Sequence, residues 1–130
     1  MAQIWSKDSQ AAAGGIAGTT PTQLAITNEL TPPQITFKAA VTALVAFQPG
    51  NDQTTVELQI IRNPDAEAAV LFDQTFTVNP TDFPLVSFAV GVTDPLNDPR
   101  GVTYQLVATQ AGGAASGFHW SYIEATLLSG

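Results

Sequence analysis

Cysteine is missing from this 130-residue chain, and charge is scarce, with four Lys or Arg and eleven Asp or Glu making up 12% of the residues. The first absence excludes disulfides and thiolate metal sites. The single histidine, His119, leaves no ligand set for zinc or iron, which need several convergent donors. The four cations, Lys7, Lys38, Arg62 and Arg100, are scattered on a chain of net charge −7, so neither nucleic acid nor an anionic membrane is an expected partner. No apolar run reaches the 18 to 20 residues or so that would span a bilayer. The opening "MAQIWSKDSQAAAGG" lacks a basic leader followed by an apolar stretch, so no Sec signal peptide is expected. A surface exported without one would be reached by another route, such as lysis or release from a mother cell.

Helical signals are nearly absent as well, and strand signals fill the space. "ITFKAAVTALVAF" places Ile35, Phe37, Ala39, Val41, Ala43, Val45 and Phe47 on one side at period two. An Ala-rich helix over Phe37 to Phe47 is the alternative, but Val and Thr recur in it and no cap precedes it. "TTVELQIIR" alternates Val56, Leu58 and Ile60 with Glu57 and Gln59. "VLFDQTFTV" sets Val70, Phe72, Phe76 and Val78 on one face, and "LVSFAVGV" does the same with Val86, Phe88, Val90 and Val92. "VTYQLVA" and the closing "SGFHWSYIEATLLSG" complete the series, with a short strand at "TQLAITN". Between them stand turn formers: "PGND", "NPDAEA", "NPTDFP", "TDPLNDPRG" as the strongest loop, and "TQAGGAASG". The expectation is an all-β domain over residues 21–130, an antiparallel two-sheet jelly-roll sandwich of about eight strands.

The first twenty residues read differently. "SQAAAGGIAGTTP" is small and Gly-rich, so residues 1–20 are expected to form an arm or connector. Fully extended it would reach about 65 Å. Ile4, Trp5 and Ile16 are the side chains with which it would grip a neighbouring subunit. The alternative is a terminal strand folded back onto its own sheet through Ile4 and Trp5.

Chemistry is sparse. His119 with Ser116 or Ser121 would need a third partner, and the histidine between Phe118 and Trp120 reads as part of a packed strand, so no catalytic residue is expected. Asp94, Asn97 and Asp98 in "TDPLNDPRG" would suit Ca²⁺, but Asp-Pro pairs are ordinary turn formers, and a Pro-stiffened loop in which Arg100 pairs an Asp is preferred. Nothing in the sequence pairs Glu57 with Glu124 for glycoside hydrolysis. No cofactor is implied. Trp120 and Tyr122, with Trp5, could stack on a sugar or be buried.

The stretch carrying Arg62, then Asp94, Pro95, Gly101, Tyr104 and Leu106, then Ile123, Glu124 and Ala125 resembles the small jelly-roll domains of the tumour-necrosis-factor and complement-globular-head type found in bacterial spore-surface proteins and phage appendages. That resemblance implies a structural protein, a trimeric head or a fibre subunit. The leading arm is similar to the connector of spore-appendage pilins, which lock subunits through cysteines. With none here, covalent locking is excluded.

Three readings follow. The leading one is a self-assembling homo-oligomeric structural subunit of an extracellular fibre, spore appendage or virion, joined through the arm and sheet edges. The second is a trimeric receptor- or carbohydrate-binding head whose Asp94, Asp98, Arg100, Trp120 and Tyr122 contact a glycan or another ligand. An enzyme is the third and is not expected.

Overall fold

The computed structural model describes residues 4–11, 15–16, 21–32, 37–48, 54–65, 67–78, 86–96, 100–113 and 116–129. Every regular element among them is a strand: β1 (Trp5–Ala11), β2 (Gly15–Ile16), β3 (Thr22–Ile26), β4 (Phe37–Gln48), β5 (Thr54–Arg62), β6 (Ala69–Val78), β7 (Val86–Leu96), β8 (Tyr104–Gly113) and β9 (Ser116–Ser129). The sheets are β1-β9-β4-β7, with β2 also on β9, and β3-β8-β5-β6, and all pairs are antiparallel. The first strand lies beside the last, and apart from the β1–β2 and β5–β6 steps successive strands change layers, which is jelly-roll topology. Among the described residues no helix is long and apolar enough to cross a membrane.

The core follows from period two. β4 is a strand rather than the alternative helix, and its Ala39, Val41, Ala43 and Val45 are all buried. Their register partners Leu127, Ala125, Ile123 and Ser121 on β9 are buried too. From the other layer come Val56, Leu58 and Ile60 of β5 and Tyr104, Leu106 and Ala108 of β8. Small residues on β4 and β9, such as Ala39, Ala43 and Ala125, lie in the same buried cluster as these larger ones.

Four expectations need correcting. Residues Trp5–Ala11 and Gly15–Ile16 of the expected arm pair along β9 of their own sheet, and Ile4 extends the ladder by accepting from the Leu127 N–H at 2.8 Å. The folded-back alternative therefore holds for these residues. Val70 does not share the face of Phe72 and Phe76, because a bulge opposite Ile60 and Ile61 skips Leu71 and turns Val70 outward, 55% exposed. The loop assigned to 93–101 begins later, since β7 continues through Asp94 and Pro95 to Leu96. Pro95 is tolerated there because β7 is an edge strand, where a missing N–H costs no ladder bond. Likewise β8 runs on to Gly113, and β9 starts at Ser116, inside the stretch read as flexible.

Candidate functional site

Three parts of the surface merit construction from their residues: a polar joint at one end, the outer face of the first sheet, and the long edges.

At the end of β5, Arg62 reaches across the sandwich to Asp94 of β7, Nη1 to Oδ1 at 2.6 Å. The Tyr104 hydroxyl on β8 donates to the other carboxylate oxygen at 2.8 Å. Asp94 is 2% exposed, so both its oxygens are consumed by the protein. Burial, then the hydrogen bond to Asp94 and its negative charge, push the Tyr104 phenol well above its usual range, while Arg62 pulls weakly the other way. These three residues of the resemblance motif therefore meet as a tie between the layers. Asp94, expected as a ligand or interface residue, is unavailable to Ca²⁺ or any ligand. Among the described residues no cluster of three or more candidate metal-binding side chains occurs.

Beside this joint lies an open depression of about 670 Å³ lined in part by Glu29, Arg62, Asn63, Glu67, Arg100 and Thr103. Asn63 adopts φ 52°, where its short amide is well tolerated, and is pinned by two bonds with Thr103: its N–H donates to the Thr103 carbonyl at 2.8 Å, and its Oδ1 accepts from the Thr103 N–H at 3.0 Å. Arg100 meets Glu67 at 3.9 Å, with both side chains at least 75% exposed, a contact worth little. Asn97 and Asp98 lie outside the described residues.

The outer face of the first sheet carries Trp5 and Lys7 of β1, Tyr122, Glu124 and Leu128 of β9, Lys38, Thr42 and Leu44 of β4, and Ala89, Gly91 and Thr93 of β7, as the registers require. Trp5 Nε1 and the Tyr122 hydroxyl both donate to Glu124 Oε2, each at 3.0 Å. The Lys7 ammonium sits 5.8 Å from the Trp5 ring centre, within cation–π range. Loss of hydration, then the bond to Glu124 and its charge, raise the Tyr122 phenol. Sequence reasoning paired Trp120 with Tyr122 on this strand; the Trp120 side chain lies outside the described residues, though its backbone pairs with Ala11 and Ala46. Trp5 is the aromatic that joins Tyr122, and only the register of β1 on β9 reveals it.

His119 occupies a bulge: Ala46 pairs with Trp120 and Phe47 with Phe118, leaving it without a directly opposite residue on β4. Ser121, its imagined partner, is fully buried and spends its hydroxyl on the Leu24 carbonyl at 2.7 Å. Glu57 and Glu124 belong to different sheets, which disposes of that acid pair. Glu57 instead meets Asp73: their hydrogen bond first, then lost hydration and like charge, raise the Glu57 carboxyl.

The two long edges of the sandwich differ. Thr27 N–H donates to the Tyr104 carbonyl at 2.9 Å, so the neighbouring Ile26 and Asn28 N–H groups point away from β8. Asp8 and Ser6 of β1 accept from those two at 3.0 and 2.9 Å. Polar side chains thus close the β1/β3 edge. At the opposite edge stand β6 and β7, each ending its sheet. There Phe72 and Phe76 of β6 and Val90 and Val92 of β7 pack against the core but stay only half-buried.

With that geometry in place, comparison with known proteins adds the fold and nothing chemical. A chain in the structure of infectious bursal disease virus, Gx strain, superposes with a TM-score of 0.54 over 99% of this chain and 30% of its own, at 14% identity. This is a shared β-sandwich fold. The present chain spans less than a third of that viral chain's length. A chain of the same virus, Gt strain, gives a TM-score of 0.36 at 10% identity, over 96% of this chain and 32% of its own. The N-terminal cellulose-binding domain of Cellulomonas fimi β-1,4-glucanase C gives 0.35 at 16% identity, over 98% and 89%. No family model matches, and no curated protein does at a significant level; of the expected resemblance, the two-sheet β-sandwich type is what the fold supports.

Proposed function

We propose that this chain is a structural subunit that assembles with copies of itself at a cell or spore surface or in a virion. The observation that carries this is the outer face of the first sheet. Four strands there present Ala, Thr, Gly and Leu around three charged side chains, Lys7, Lys38 and Glu124, and Leu128 and Trp5 are 41% and 45% exposed. Exposed aromatic and apolar side chains of this kind are enriched at the core of protein interfaces. Ile4 and Trp5 at the rim of β1 would meet the neighbour, in keeping with the assembly role expected for the first twenty residues. The likeness to a virus chain concerns fold, and it is compatible with a virion or fibre. No catalytic step, cofactor or nucleic acid belongs to this reading.

The test is a double substitution, Thr42→Lys with Thr93→Lys, both at exposed positions of that face. Electron microscopy of the native chain should show regular polymers, and the variant should remain dispersed with an unchanged thermal melt. A native chain that never forms higher assemblies would overturn the reading.

One observation favours a second reading, a carbohydrate-binding head: a single carboxylate, Glu124, holds both Trp5 and Tyr122 by their polar tips. Fixed aromatics suit stacking on sugars. A glycan array would then give hits that Trp5→Ala abolishes; a blank array would remove this alternative.

A further inference from the structure

The β6 edge has the composition of a strand that could pair with itself. Its sequence, AVLFDQTFTV, is rich in β-branched and aromatic residues, has no proline and carries one charge, Asp73. A long edge strand of that kind is a template for another strand. Asp73, Gln74, Thr75 and Thr77 are exposed, and Phe72 and Phe76 are half-buried. The opposite edge is closed by Ser6 and Asp8, so addition there would first displace two hydrogen bonds.

We propose that β6 is a two-fold self-pairing edge, at which a second copy of this chain adds its own β6 antiparallel about Gln74. The inference rests on the self-assembly reading and names the surface by which two copies meet. Symmetry restricts the register. A two-fold axis normal to the sheet keeps each side chain on its own face, so every pair sums to an even number. Centring on Asp73 would set two carboxylates directly opposite. Centring on Thr75 would set Phe76 opposite Gln74 and Phe72 opposite Val78. Centring on Gln74 sets Phe72 opposite Phe76 twice, and Asp73 opposite Thr75 twice. Aromatic cross-strand pairs are favourable and opposed like charges are not. The Gln74 register alone of the three satisfies both conditions, and it lays the half-buried Phe72 and Phe76 against their counterparts.

Because the chain has no cysteine, single substitutions report the register directly. In this register residue 74 opposes itself, with Cβ atoms about 4.5–5.5 Å apart, close to disulfide reach. Residue 77 would sit roughly 20 Å from its copy. Under mild oxidation Gln74→Cys should therefore form a covalent dimer and Thr77→Cys should not. A second pair of variants reads the register without oxidation. Thr75→Lys faces Asp73 of the other copy twice and should tighten dimerisation, and Thr75→Asp should weaken it, each by up to about tenfold in sedimentation equilibrium. Equal cross-linking at 74 and 77, a charge reversal at 75 without opposite effects, or a native chain that stays monomeric would overturn the inference. A β6-linked dimer that never polymerises would overturn the fibre reading and leave this one standing. Polymers that form with no 74–74 cross-link would do the reverse.

Discussion

At the scale of single residues, the molecule spends its few ions with purpose. Asp94 is the clearest instance, buried to 2% exposure yet bonded to Arg62 and Tyr104 from the opposite layer. Tyr104→Phe leaves one buried carboxylate oxygen without its donor and should cost about 1–3 kcal/mol. Asp94→Ala strands Arg62 and the phenol together and should cost about 3 kcal/mol, the lower end for a broken buried pair because Arg62 is 28% exposed. Urea unfolding of both variants, with the Tyr104 change the milder, checks this. Glu57 offers a pH test. Its carboxyl is raised above 4.5 in the folded chain by Asp73, so the folded state holds that proton more tightly than the unfolded one. Its stabilising contribution is full below about pH 4.5 and is lost as pH rises through the raised value. Glu57→Gln should therefore flatten the fall in stability over that window, measured as melting temperature against pH for variant and native chain. Sequence alone named Arg62, Asp94 and Tyr104 but not their meeting, because they lie 10 and 32 positions apart. It missed the Glu57–Asp73 contact for the same reason: cross-strand register brings them together.

At the scale of elements, apolar alternation was a reliable guide wherever the inward side chains are apolar. β4 and β5 are legible for this reason, with Ala39, Val41, Ala43, Val56, Leu58 and Ile60 all at or below 1% exposure. β1 was illegible because its inward residues are Ser6 and Asp8, which hold β3 by its backbone instead of filling the core. Strand β9 makes the related bond from Ser121 to Leu24. Ser121→Ala leaves that carbonyl buried without a partner and should cost about 1–3 kcal/mol, with amide hydrogen exchange of β3 speeding up before that of β5. Uniform loss of protection in both strands would argue that β3 has no separate stability. Bulges account for the remaining misplacements: one turns Val70 outward, and another isolates His119 from direct pairing.

At the scale of the whole molecule, the jelly roll joins chain ends, since β1 pairs with β9 along its full length and β4 lies beside β9 as well. Most of its order is therefore non-local. Folding should be slow for its size, in the millisecond-to-second range typical of all-β sandwiches, and stopped-flow tryptophan fluorescence would measure it. Microsecond refolding would contradict this topology. The two long edges also divide the surface: one is closed with polar side chains, the other lined with half-buried Phe and Val.

What the amino-acid sequence determined by itself was the all-β class, the alternating core and the poverty of reactive groups, because strand periodicity and composition are local properties. Tertiary structure alone decided which layer each strand joined, that Trp5–Ala11 became part of the sheet, and that Asp94 was sealed inside. Those outcomes depend on pairing and register between distant strands, and no local pattern encodes the neighbour a backbone amide will find.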